Sequence, residues 1–94
     1  MTEKAPFHIF IPIYKKVDLM DVAAPAEMFS WMGTKTPALD VQVQLIAATL
    51  DVVTTNQGVR ITPDATFAEI RRHRRQCDLL WAPGGAPDAL KAMM

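Results

Sequence analysis

Three short apolar runs punctuate the chain: His8-Ile9-Phe10-Ile11-Pro12-Ile13, Val41-Gln42-Val43-Gln44-Leu45-Ile46-Ala47 and Asp78-Leu79-Leu80-Trp81-Ala82. The first is continuous in polarity, and the second alternates before it becomes continuous. Such runs suit strands covered on both faces, as in a parallel sheet. Pro12 belongs at a strand end, because it has no N–H to give to a ladder. Between the first two runs, Val22, Ala26, Phe29 and Gly33 recur at helical spacing. The expected helix starts near Leu19, with Asp18 as its cap and Asp21 in the positive field of its first turn. It bends at Pro25 and ends at Gly33. Val52–Thr55 and Val59–Thr62 flank Asn56-Gln57-Gly58, a hairpin signal with Gly at the left-handed position. Thr66-Phe67-Ala68-Glu69 is a capping box for a short helix reaching about Arg75. After Pro83-Gly84-Gly85 a last helix begins near Asp88. Strands alternating with helices predict an α/β fold: one parallel sheet, helices on both faces and a projecting β-hairpin.

Length and composition narrow the partners. Ninety-four residues suffice for one small domain. Half of them are apolar and the formal net charge is zero, which excludes a disordered tail and a broadly basic nucleic-acid binder. No run is long enough to cross a membrane and no signal peptide is evident, so a cytoplasmic protein is expected. The single Cys77 excludes an internal disulfide framework. The pattern from Asp88 to Met94 stops on two methionines without a C-cap, so residues 1–94 are expected to be the N-terminal part of a longer α/β domain.

Few residues carry chemistry. Gly84 and Gly85 follow a buried strand, at the sheet edge where α/β sites gather. Their amides suit a developing negative charge; the plainer reading is a strand-to-helix turn. Asp21 lies past the carboxyl end of the first strand. It is either a general acid or carboxylate partner for a nucleophile, or an acid placed for helix capping and the helix dipole. Glu27 reads as a structural or interface acid. Arg71-Arg72-His73-Arg74-Arg75 is either an anion patch or a solvated helix face, and zero net charge favours the latter. Cys77 lies at the amino end of its strand, opposite the expected site, and reads as a partly buried thiol. His8 and His73 lack partners at metal spacing, so no metal is expected. Neither G-x-G-x-x-G nor a P-loop is present, and no cofactor is expected.

Together these motifs resemble a family. Asp18-Leu19-Met20-Asp21-Val22-Ala23-Ala24-Pro25-Ala26-Glu27-Met28-Phe29 is similar to the D-x-x-G-P-x-E-x-F segment of the DJ-1/PfpI superfamily, within the class I glutamine amidotransferase-like proteins. Gly58-Val59-Arg60-Ile61-Thr62-Pro63, Thr66-Phe67 and Asp78 through Gly85 resemble its branch of isonitrile hydratases and AraC-type regulators. Ala24 stands where that branch usually has Gly, and Lys16 where a turn Gly is common. The resemblance implies a flavodoxin-like fold, usually dimeric, with a reactive Cys on an elbow beyond residue 94. It implies the acid position at Asp21 and oxyanion donors at Gly84 and Gly85. The implied function of a complete protein is a lyase reaction, Cys-dependent hydration of an isonitrile to an N-substituted formamide. The alternative is a non-catalytic ligand-sensing domain of an AraC-type regulator. Stress-response or glyoxalase-like members tend to carry Glu at the Asp21 position, which disfavours that third reading. The expected partners are a small-molecule substrate and a second copy or a complementing C-terminal half. Without the elbow Cys, the chain alone is expected to be inactive.

Overall fold

The computed structural model describes residues 5–73 and 76–85. Strand β1 (Ala5–Pro12) leads into helix α1 (Leu19–Lys35) and strand β2 (Leu39–Ala47). A hairpin of β3 (Val53–Thr54) and β4 (Arg60–Ile61) follows. Strand β5 (Ala65–Thr66), helix α2 (Phe67–Arg72) and strand β6 (Leu79–Leu80) complete the described part. The final helix expected from Asp88, and Arg74 and Arg75 of the basic run, lie outside the described residues.

The four strands β5-β2-β1-β6 form one sheet, and every pairing in it is parallel. The three strands expected from the apolar runs stand second-first-third, the start of a flavodoxin-like order. The sequence carried no signal for β5, whose two residues pair with Ile46 and Ala47. The hairpin forms its own antiparallel pair, Val53 with Ile61 and Thr54 with Arg60. Gly58 closes its loop at φ +84°, the left-handed conformation that Gly adopts without a steric cost.

The continuous polarity of β1 has a direct cause. Ile9, Phe10 and Ile11 are all buried, because both sheet faces are covered. Ile11, Ile13, Val17, Val22 and Ala47 pack with Ala26 of α1 and with Val53 and Ile61 of the hairpin. On the other face, Phe10, Ile46 and Ala65 meet Phe67 and Ile70 of α2. The helix α2 opens on the expected capping box. Thr66 Oγ1 accepts the Glu69 N–H at 3.1 Å, and the Glu69 carboxylate accepts the Thr66 N–H at 3.3 Å. No helix among the described residues is long and apolar enough to cross a membrane.

Three local expectations are corrected. Gly33 does not end α1, which runs on to Lys35. A Cβ at Gly33 would sit 3.1 Å from Val41 Cβ, so the glycine serves the close approach of α1 to β2. Asp18 has the extended backbone of an N-cap, but its side chain makes no capping bond. Cys77 is exposed rather than partly buried.

Lys16, in the turn between β1 and α1, has φ +69°. A Cβ in this region costs about 1–2 kcal/mol, which is the physical reason a glycine suits the position. Lys16→Gly is expected to stabilise the protein by roughly 0.5–1 kcal/mol, after the added freedom of the unfolded chain is subtracted. Denaturant midpoints at unchanged slope measure it; a loss of stability would contradict it.

Candidate functional site

Strands β1 and β6 run parallel and adjacent, so their carboxyl ends deliver two loops to one sheet edge. The first is the β1–α1 turn, residues 13–18. The second is residues 81–85, and it is tied to the first at several points. Val17 and Gly85 form an antiparallel bridge. The Asp18 N–H donates to the Gly84 carbonyl at 2.8 Å. Tyr14 Oη donates to the Pro83 carbonyl at 2.8 Å.

Asp21 enters from the first turn of α1. Its carboxylate accepts the Gly84 N–H at 3.1 Å. The structure therefore brings together two of the three candidate residues, with the Gly84 amide aimed at the acid. Close packing requires a glycine at 85 and favours one at 84. A Cβ at Gly84 would lie 3.0 Å from Asp21 Oδ2. A Cβ at Gly85 would lie 2.8 Å from both the Lys16 carbonyl oxygen and Tyr14 Oη.

Pro25 shapes the same corner. It lies within α1, four residues after Asp21, and has no N–H to give back to the Asp21 carbonyl. The Trp81 indole N–H donates to that carbonyl instead, at 3.0 Å. Trp81 also meets Phe29 edge to face, with ring centroids 5.8 Å apart. Between Trp81 and α1 runs an apolar groove of about 270 Å³, lined by Met20, Ala24, Pro25, Met28 and Phe29 and touching Asp21.

The hairpin reaches this edge from the side. The Lys16 N–H donates to the Thr54 carbonyl and the Asn56 N–H to the Val17 carbonyl, each at 2.9 Å. Gln57 Oε1 accepts the Leu19 N–H at 2.9 Å, and its Nε2 donates to Asp18 Oδ1 at 2.7 Å.

Tyr14, Gln57 and Trp81 are not among the candidates the sequence singles out. Position alone points to Tyr14, two residues past the strand-ending Pro12. Burial raises the Tyr14 pKa above its ordinary value, and the Asp21 and Asp18 carboxylates add to the rise. The hydroxyl is therefore held as a proton donor to Pro83. Cys77 and His8 belong to the opposite edge. There the Asp78 N–H donates to the His8 carbonyl, and Asp78 Oδ2 accepts the His8 N–H.

A profile of the DJ-1/PfpI family matches residues 8–93. The crystal structure of a THiJ/PfpI family protein from Pseudomonas syringae is similar at 28% identity with a TM-score of 0.72, over 89% of this chain and 31% of that one. That of an AraC family transcriptional regulator from Pseudomonas putida is similar in fold, with a TM-score of 0.62 at 16% identity, over 87% of this chain and 49% of that one. The chain spans about a third of the first structure and about half of the second. No curated protein matches the sequence. With a family match over nearly its whole length and the parallel sheet that carries Asp21 and Gly84 to one edge, the chain belongs to the DJ-1/PfpI family.

Proposed function

We propose that the complete protein is a Cys-dependent isonitrile hydratase in which Asp21 is the acid. The observation that supports this most is the Asp21 carboxylate held on the Gly84 amide at the carboxyl edge of the sheet. The nucleophile is a cysteine thiolate contributed by the remainder of the protein. It attacks the terminal isonitrile carbon and forms a C–S bond. Asp21 delivers its proton to that carbon, leaving a thioimidate. Water adds to the C=N carbon, one of its protons passing to the nitrogen and the other returning to Asp21. The C–S bond breaks to release the thiolate and the N-substituted formamide. The net change is addition of one water to the isonitrile. Gly84 orients the acid, and the close packing of Gly85 keeps the loop against it. A cytoplasmic location suits this chemistry, because the thiolate stays reduced there.

The same reading assigns partners to two bare surfaces. Strand β6 has β1 on one side only among the described strands, and Leu80 is 60% exposed. An open edge of this kind favours a further strand, and the rest of the domain supplies it. Met20, Met28 and Trp31 form an exposed apolar stripe along α1, which suits a second copy of the protein. The 94-residue chain by itself is accordingly expected to associate or to unfold without cooperativity. A cooperative monomer in sedimentation and thermal melts would refute this.

Formamide production tests the chemistry. The complete protein is expected to turn over an isonitrile, while the 94-residue chain gives none above buffer. Turnover by the short chain that disappears in Cys77→Ala would relocate the nucleophile. An inactive complete protein would favour a ligand-sensing domain instead, a reading supported by the fold shared with the AraC family regulator. A helix-turn-helix region following the α/β domain would mark that alternative.

A further inference from the structure

We propose that Gln57, at the tip of the hairpin, is the helix cap of α1 supplied from outside the helix, and a positioning residue for Asp21. An α-helix begins with N–H groups that have no partner within it. Asp18 occupies the cap position of α1, yet its side chain accepts none of them. The Leu19 N–H goes to Gln57 Oε1, 38 positions further along the chain. The other end of the same amide donates to Asp18 Oδ1, which holds the cap residue's own carboxylate. One side chain thus satisfies an orphan donor of the helix and restrains the residue that begins it.

The hairpin is built to hold Gln57 there. Thr54 and Asn56 bond to the β1–α1 turn through their backbones. The buried Thr55 closes the loop by accepting the Val59 N–H on Oγ1 at 3.0 Å. Gly58 makes the left-handed turn next to Gln57. From the cap, contacts continue to the candidate acid. The Asp18 N–H donates to the Gly84 carbonyl, and the Gly84 N–H donates to the Asp21 carboxylate. The start of α1, the Gly84 peptide and the Asp21 carboxylate are therefore placed together, and Gln57 fixes the first of them. A positioning role rests on Asp21 being the acid, whereas the cap itself does not.

The test is amide hydrogen exchange of the complete protein, read by 1H–15N NMR with no substrate present. In Gln57→Ala, the Leu19 and Gly84 amides are both expected to exchange about tenfold faster, with strand amides such as Ile11 and Val43 unchanged. Gln57→Glu keeps the acceptor for Leu19 but sets a carboxylate against Asp18 Oδ1, so it is paired with Asp18→Asn, whose amide can donate in return. In that double variant both amides are expected to return to within about threefold of wild type. Should Gln57→Ala fail to fold, Gln57→Asn decides on the same two amides, since its side chain is one methylene short of Leu19. Faster exchange at Leu19 with Gly84 unchanged would overturn the positioning role. No change at Leu19 would overturn the cap. In the active protein, Gln57→Ala is expected to lower kcat about tenfold with KM unchanged, and unchanged kcat would also overturn positioning. A protein that hydrates no isonitrile contradicts the proposed function without altering the exchange result, so the two failures are separable.

Discussion

Asp21→Asn is expected to lower turnover of an isonitrile by the complete protein on the order of a hundredfold, as loss of a general acid does. Stability is expected to move by at most about 1 kcal/mol, the most that an acid at a helix N-terminus typically contributes, because an amide keeps the shape of the carboxyl group. The Asn oxygen can still accept the Gly84 N–H that Asp21 holds at 3.1 Å, and the Asp21 backbone carbonyl keeps its bond from Trp81. The substitution therefore separates the proton from the architecture. Rate and denaturation should be measured on one preparation. A well-folded variant with near wild-type turnover would remove Asp21 from the chemistry, and with it most of the support for hydration over sensing.

Gly85→Ala is expected to destabilise the protein by roughly 3 kcal/mol. The new methyl group would meet the Lys16 carbonyl and Tyr14 Oη at 2.8 Å. A backbone oxygen in a turn cannot swing aside, so the loop must shift at an overpacking cost of about 1–3 kcal/mol. The shift also loosens the Tyr14–Pro83 and Asp18–Gly84 hydrogen bonds, each worth about 1 kcal/mol. Gly84→Ala is the informative contrast. Its methyl meets only the tip of the Asp21 side chain at 3.0 Å, and that tip can move. The second variant should keep more stability than the first while displacing the acid. Equal stability for Gly85→Ala and wild type, by chemical denaturation, would contradict the packing described here.

Burial pattern made the sheet legible in the chain. Ile9, Phe10 and Ile11 are apolar without alternation because α1 and α2 cover opposite faces, and the parallel order follows from the helices between strands. The hairpin and the capping box were legible because each depends on neighbouring residues. Features that depend on distant residues were not. Strand β5 is two residues long and owes its existence to β2. Gly33 resembles a helix stop until Val41 is seen beside it. Asp18 looks like a self-sufficient cap because nothing local announces that Gln57 does the capping. At the site, strand order brought Asp21 and the Gly84 loop to the same edge, which the topology of an α/β sheet allows one to anticipate. Tyr14 and Trp81 join them through contacts spanning more than fifty positions, and no spacing rule encodes those.

The bond from the Trp81 indole to the Asp21 carbonyl gives the protein an optical reporter. These 94 residues hold two tryptophans, and Trp31 lies near the far end of α1 from Asp21, with the Lys35 ammonium 5.1 Å from its ring centre. Replacing Trp31 with Phe leaves one indole within these 94 residues, 42% exposed, whose N–H rests on the Asp21 carbonyl. Its emission colour and its access to a soluble quencher then follow the corner formed by Asp21, Pro25 and Trp81 in real time. Occupancy of the adjoining groove becomes readable without a label, for a ligand that is transformed and for one that is merely held.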